Sequence, residues 1–174
     1  MSSVNLIGNS VLALIQHPHE CNRLRADLTR IGSAVEELLR FAGPLETATE
    51  RFAREDMTIA DVHVPRGAMV YAVIASANRD EEQFANPDRL DLSRDPNRHL
   101  AFGHGMHYCV GAPLARLEAQ MAIATLLGKA EGLRLAVPET SVKWRPGLVL
   151  RGLKRLPVTA VARRGGETSG LTAG

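Results

Sequence analysis

The chain has 174 residues, 45% hydrophobic and 23% charged, with a formal net charge of +2, a balance ordinary for a soluble globular domain. So weak a positive charge, with aromatics at 4%, gives no basis for nucleic-acid binding. Cys21 and Cys109 lie far apart, which is no disulfide framework and fits a reducing cytoplasm, and the apolar run at residues 4–15 is broken and well short of the roughly 20 residues that a membrane span needs.

Val4, Leu6, Ile7, Val11, Leu12, Leu14 and Ile15 recur at helical spacing and predict a first helix beginning close to Met1, with Ser2 and Ser3 as candidate caps. His17-Pro18 stops it, because the residue before proline leaves the α region. A short helix is expected over residues 18–27 and a third over 31–41, with Ile31, Ala34, Val35, Leu38 and Leu39 as its apolar stripe and Gly43-Pro44 at its end. Short strands are expected at residues 49–54, 57–59, 62–64 and 69–71, separated by turn residues such as Pro65 and Gly67. Residues 70–77 read equally as strand or helix.

Residues 78–99 are polar and punctuated by Asn86-Pro87-Asp88 and Asp95-Pro96-Asn97, and a loop of this length is usually functional or disordered. A helix of about 18 residues is expected after Cys109, with Pro113 in its first turn and Gly128 near its end. Short strands with turns at Pro138, Pro146-Gly147 and Pro157 occupy residues 133–162, and the Gly/Ser/Thr-rich residues 163–174 read as a disordered tail.

The chemistry concentrates on Cys109. A cysteine just ahead of a helix start meets unpaired N–H groups and the positive end of the helix dipole, which favour the thiolate. Gly103, Gly105 and Gly111 strip side chains from both sides, letting the backbone approach a flat ligand closely. The plain alternative is a buried, inert cysteine in a glycine-rich turn.

Phe102-Gly103-His104-Gly105-Met106-His107-Tyr108-Cys109-Val110-Gly111 resembles, at every defined position, the heme-ligand signature of the cytochrome P-450 superfamily, Phe-Gly-x-Gly-x-His-x-Cys-x-Gly. Ala115-Arg116-x-Glu118 continues it in the manner of bacterial soluble members. Glu37-Leu38-Leu39-Arg40 is similar to the family's Glu-x-x-Arg motif, and Phe84-Ala85-Asn86-Pro87-Asp88-Arg89 to its meander. The resemblance covers residues 2–162, less than half of the family's usual chain.

The resemblance implies heme b (iron protoporphyrin) held by Cys109 as axial thiolate, with Phe102 beside the sulfur and Gly103, Gly105 and Gly111 around it. It gives His107 and Arg51 to the heme propionates. Glu37 and Arg40, three residues apart, share a helix face, and Arg89 is expected to add a second guanidinium to the carboxylate. The implied fold is mainly α with small β-sheets (α+β), the heme-proximal half of the family's architecture, over residues 1–162. The family's central helix carries an acid–alcohol pair; the register of Val4-Asn5-Leu6-Ile7 puts Ser2 at the alcohol and Met1 at the acid, where methionine supplies no proton.

Two functional readings follow. The first is a heme-thiolate monooxygenase, here as a fragment, that inserts one atom of dioxygen into a small organic substrate with electrons from a ferredoxin or flavoprotein reductase. Arg98, Arg116 and Lys129 are its candidate basic contacts, and residues 45–48 and 147–150 are the segments able to line a pocket. The second is a truncated, non-catalytic heme-binding or protein-interacting remnant, which associates with itself or with a full-length relative through apolar surface left bare. Nucleic-acid binding through Arg151, Arg155, Arg163 and Arg164 has only charge behind it.

Overall fold

A computed structural model describes residues 2–162; the expectations for Met1 and for residues 163–174 fall outside them. The first helix, α1 (Ser2–Gln16), ends one residue before His17, and α2 (Pro18–Ala26) opens on Pro18, where the missing N–H costs nothing. A 3₁₀ turn leads into α3 (Ile31–Ala42). At its end a side chain on Gly43 would collide with the Leu39 carbonyl, so only glycine lets the chain leave the helix here.

Three two-stranded antiparallel sheets follow the expected order; β2 and β3 have the expected bounds, while β1 and β4 are shorter than the sequence suggests. β1 (Arg51–Phe52) pairs with β4 (Met69–Val70), and β2 (Met57–Ile59) pairs with β3 (Val62–Val64). The ambiguous stretch at 70–77 is both things in turn: β4 ends at Val70 and a one-turn helix, α4 (Ile74–Ala77), follows. After the long loop, α5 (Ala112–Lys129) runs directly into β5 (Ala130–Leu135), three residues sooner than expected, and β5 pairs with β6 (Val158–Ala162).

α1, α3 and α5 pack on one another. Leu6, Leu14, Val35, Leu38, Leu39, Ile123 and Leu127 fill the space between them, with Leu90 and Leu92 of the long loop as further pegs. The architecture is therefore mainly α with small β-sheets. Among the described residues no helix is long and apolar enough to cross a membrane.

The segments 45–48 and 147–150, each expected only to be able to line a pocket, lie side by side. Leu45 bridges Leu150, the Glu46 N–H donates to the Val149 carbonyl at 3.0 Å, and the Thr47 hydroxyl donates to the Leu148 carbonyl at 3.1 Å.

Candidate functional site: the Cys109 loop and its supports

Cys109 lies in a tight loop at the head of α5. Its N–H donates to the Phe102 carbonyl at 2.9 Å, closing the loop, and its own carbonyl accepts from Ala112 N–H at 3.1 Å, joining the loop to the helix. Gly103 and Gly105 hold φ of +76° and +67°, the left-handed region that a Cβ disfavours. A Cβ on Gly111 would sit 3.8 Å from the Cys109 sulfur, so this glycine leaves one flank of the thiol clear. Cys109 is exposed and its thiol is free, which disposes of the buried-cysteine alternative.

The expected neighbours divide. Phe102, Gly103, Gly105, His107 and Gly111 share the loop with Cys109; His107 is exposed, and Phe102 is half-buried against the core. Arg51 is exposed on β1, its guanidinium turned onto the Thr49 hydroxyl at 2.7 Å and the Glu50 carbonyl at 3.2 Å.

Glu37 and Arg40 pair as expected, at 2.8 Å through both oxygens, with both side chains fully buried. Arg40 also donates to the carbonyls of Asn78 and Pro87 at 2.8 Å and of Arg89 at 3.2 Å, and its guanidinium stacks over Phe84. The assignment of Arg89 needs correction: the second guanidinium on Glu37 is that of Arg94, at 3.1 and 3.2 Å, while Arg89 lends its backbone carbonyl to Arg40 and Arg94. Asp91 N–H and the Asn97 amide complete the carboxylate's shell at 3.0 Å each. These bonds hold the irregular residues 78–99 against α3, because a carboxylate with four donors is satisfied without water.

A second cluster escaped the sequence reading. Glu36 takes Arg116 in a bidentate grip, at 2.7 and 2.9 Å, and His99 at 3.0 Å. Arg116 also donates to the Tyr108 hydroxyl at 3.0 Å and lies 4.5 Å from the Phe102 ring centre. Burial alone would raise the Glu36 carboxyl, but the hydrogen bonds from His99 and Arg116 and the charge of Arg116 outweigh it and hold its pKa at about 2, against 4.5 normally. Arg116 is thus spoken for inside the protein and is no free basic contact for a partner; Arg98 and Lys129 are exposed.

The long helix α5 has two apolar faces. Ala112, Ala119, Ile123 and Leu127 are buried, but Leu114, Leu117 and Met121 are more than half exposed and line up with Val110, 99% exposed at the loop. The all-round apolarity of this helix therefore does not mean all-round burial in this chain. Beside this stripe, Val4, Ile7, Met121 and Leu126 line an open groove.

The cytochrome P450 family model matches residues 11–149, most of the chain and both clusters. The chain belongs to the cytochrome P450 family. It is 46% identical over 171 residues to cytochrome P450 monooxygenase PikC of Streptomyces venezuelae, covering 98% of this chain and 41% of that protein. It is 48% identical to the vitamin D(3) 25-hydroxylase of Pseudonocardia autotrophica, over 91% of this chain and 39% of that one. The solved structure of the bacillaene polyketide synthase cytochrome P450 PksS from Bacillus subtilis 168 superposes with a TM-score of 0.89 at 45% identity, covering 91% of this chain and 41% of that one. The chain thus spans about two fifths of the length of the relatives it matches.

Family membership implies a heme cofactor, and the residues present fit one. A free, exposed thiol stands at a helix head, with Gly111 keeping a side chain off the sulfur and Gly103 and Gly105 supplying the loop's left-handed turns.

Proposed function

We propose that this chain is the heme-ligand part of a cytochrome P450 monooxygenase, with Cys109 as the axial thiolate of heme b. The supporting observation is the exposed, unpaired Cys109 thiol in its glycine loop at the start of α5. Bound there, the heme supplies dioxygen activation, for which a thiolate is the electron-rich ligand. The chain's residues do the rest of the work on this side. Gly111 keeps one approach to sulfur open, Gly103 and Gly105 let the loop turn back on itself in front of α5, and Phe102, half-buried against the core, anchors the loop by accepting the Cys109 N–H on its carbonyl. His107, exposed two residues ahead of Cys109, and Arg51 are the proposed donors to the propionates.

In this reading two electrons come from a ferredoxin or flavoprotein reductase, one atom of dioxygen enters a small organic substrate, and the other leaves as water with two protons from solvent. The adjoining segments 45–48 and 147–150 form part of that substrate's wall. Residues 1–162 are the proposed domain, and the free thiols of Cys21 and Cys109 favour a cytoplasmic setting.

The test is spectroscopic. The purified chain is given heme, reduced and exposed to carbon monoxide; the expected result is the strongly red-shifted Soret band of thiolate ligation, lost in Cys109→Ala. Absence of the band, or its survival in that variant, overturns the assignment.

A second reading, a non-catalytic heme-binding or protein-interacting remnant, is favoured by one observation: the bare stripe of Val110, Leu114, Leu117 and Met121. Co-elution with a full-length relative on gel filtration, with no product formed beside a competent reductase, is its expected signature.

A further inference from the structure

The Cys109 loop is held at both ends by one guanidinium. Phe102 opens the loop and receives the Cys109 N–H on its carbonyl; Tyr108 immediately precedes Cys109. Arg116 reaches both, stacking on the Phe102 ring and donating to the Tyr108 hydroxyl. Its other two donors, Nε and Nη2, are fixed on the Glu36 carboxylate of α3. The same carboxylate takes His99 Nε2, while His99 Nδ1 accepts from Ala101 N–H at 3.2 Å, which fixes the backbone that leads into Phe102. Glu36 therefore ties the approach to the loop, its two ends and α5 to one point on α3.

We propose that Glu36 and Arg116 are positioning residues for the Cys109 thiolate, setting the orientation in which the loop presents sulfur. The inference rests on the heme-ligand reading of Cys109. It is distinct from the work of Glu37 and Arg40, which fix residues 78–99. A stabilising role alone is a poor account of the pair. Side chains 28% and 29% exposed lie toward the weakly contributing class of ion pairs, yet Arg116 spends two donors on the Glu36 carboxylate of α3, a third on the Tyr108 hydroxyl and its flat face on the Phe102 ring. That arrangement needs the planar fork of arginine; a lysine ammonium keeps the charge but not the geometry.

The experiment compares Arg116→Lys, Glu36→Gln and Tyr108→Phe with the unaltered chain in two measurements. Without heme, hydrogen exchange at the Cys109 amide reports loop opening. It is expected to accelerate about tenfold or more in Arg116→Lys and Glu36→Gln, with α3 and α5 amides still protected and Tyr108→Phe between. With heme, the two variants are expected to retain it about 10- to 100-fold less tightly and to show the reduced carbon monoxide band moving from its thiolate position toward that of a neutral thiol. If Arg116→Lys matches the unaltered chain in both measurements, or if exchange rises equally throughout α3 and α5, the positioning role is overturned. If the unaltered chain itself gives no thiolate band, the heme-ligand reading falls, and the exchange measurement still decides whether Arg116 holds the loop.

Discussion

Glu36 and Glu37 are neighbours on α3, yet their carboxylates hold different parts of the chain. Successive helical residues point about 100° apart, so Glu37 turns inward to Arg40, Arg94, Asp91 and Asn97, while Glu36 turns to Arg116 and His99. One fastens the long loop; the other fastens the approach to Cys109.

Removing one member of the inner pair should be costly. Glu37 and Arg40 are fully buried, and truncating one partner strands the other's charge away from water. Arg40→Ala or Glu37→Ala is expected to lower stability by about 3–5 kcal/mol, read from the midpoint of urea unfolding. A loss below about 1 kcal/mol would contradict the buried geometry.

The two arginines of the loop should separate cleanly. Arg94 puts its Nε on the Glu37 carboxylate, whereas Arg89 contributes through its backbone carbonyl, which substitution leaves in place. Arg94→Ala is expected to cost about 1.5–3 kcal/mol, the range for a hydrogen bond to a charged group, and Arg89→Ala within about 0.5 kcal/mol. The reverse order in thermal or urea unfolding would restore the Arg89 assignment.

That exchange of roles shows where the sequence stops being legible. Glu37 and Arg40 could be paired by eye because helical spacing puts i and i+3 side by side. Arg79, Arg89, Arg94 and Arg98 all sit in or near a stretch with no period, so nothing local selects among them. Glu36 and Arg116 are 80 positions apart, and only the packing of α3 against α5 brings them together. The helices were readable from their apolar spacing and their Pro18 and Gly43 boundaries. β1 and β4 shrank to two residues each because pairing, not propensity, decides strand length. The outward face of α5 is legible only in the structure, because composition records apolarity but not what covers it.

Acid should weaken the Glu36 cluster in a defined window. Its carboxyl is held at about 2, below its ordinary 4.5, so the folded state favours the ionised form. That contribution is present in full above about pH 4.5 and is lost as pH falls through about 2. Glu36→Gln is therefore expected to flatten this part of the stability-against-pH curve, measured by urea unfolding at steps between those values. An identical slope in the variant would mean that Glu36 is not held as described.

The glycines around the sulfur should respond differently to one methyl group. Gly103 holds φ of +76°, so Gly103→Ala forces alanine into the left-handed region at about 1–2 kcal/mol, and the loop is expected to open. Gly111 has an ordinary φ of −84°, and its added Cβ would only touch the Cys109 sulfur at 3.8 Å. Gly111→Ala is therefore expected to leave thermal stability nearly unchanged while weakening heme retention. Equal loss of stability in both variants would refute this separation of backbone strain from crowding at sulfur.

The two faces of α5 give the sharpest contrast. Ile123 is fully buried between the helices, and Ile123→Ala is expected to cost about 2–5 kcal/mol as a cavity opens. Leu117 and Met121 are 53% and 63% exposed, so replacing both with glutamine should change stability by no more than about 0.5 kcal/mol each. The same double change removes apolar area from the stripe that Val110 and Leu114 begin, and contiguous patches of this kind drive association. Gel filtration across a range of concentrations is expected to show the unaltered chain eluting earlier as concentration rises and the double variant staying put. If the double variant instead unfolds, this face is packed within the chain, and the bare stripe is no docking surface.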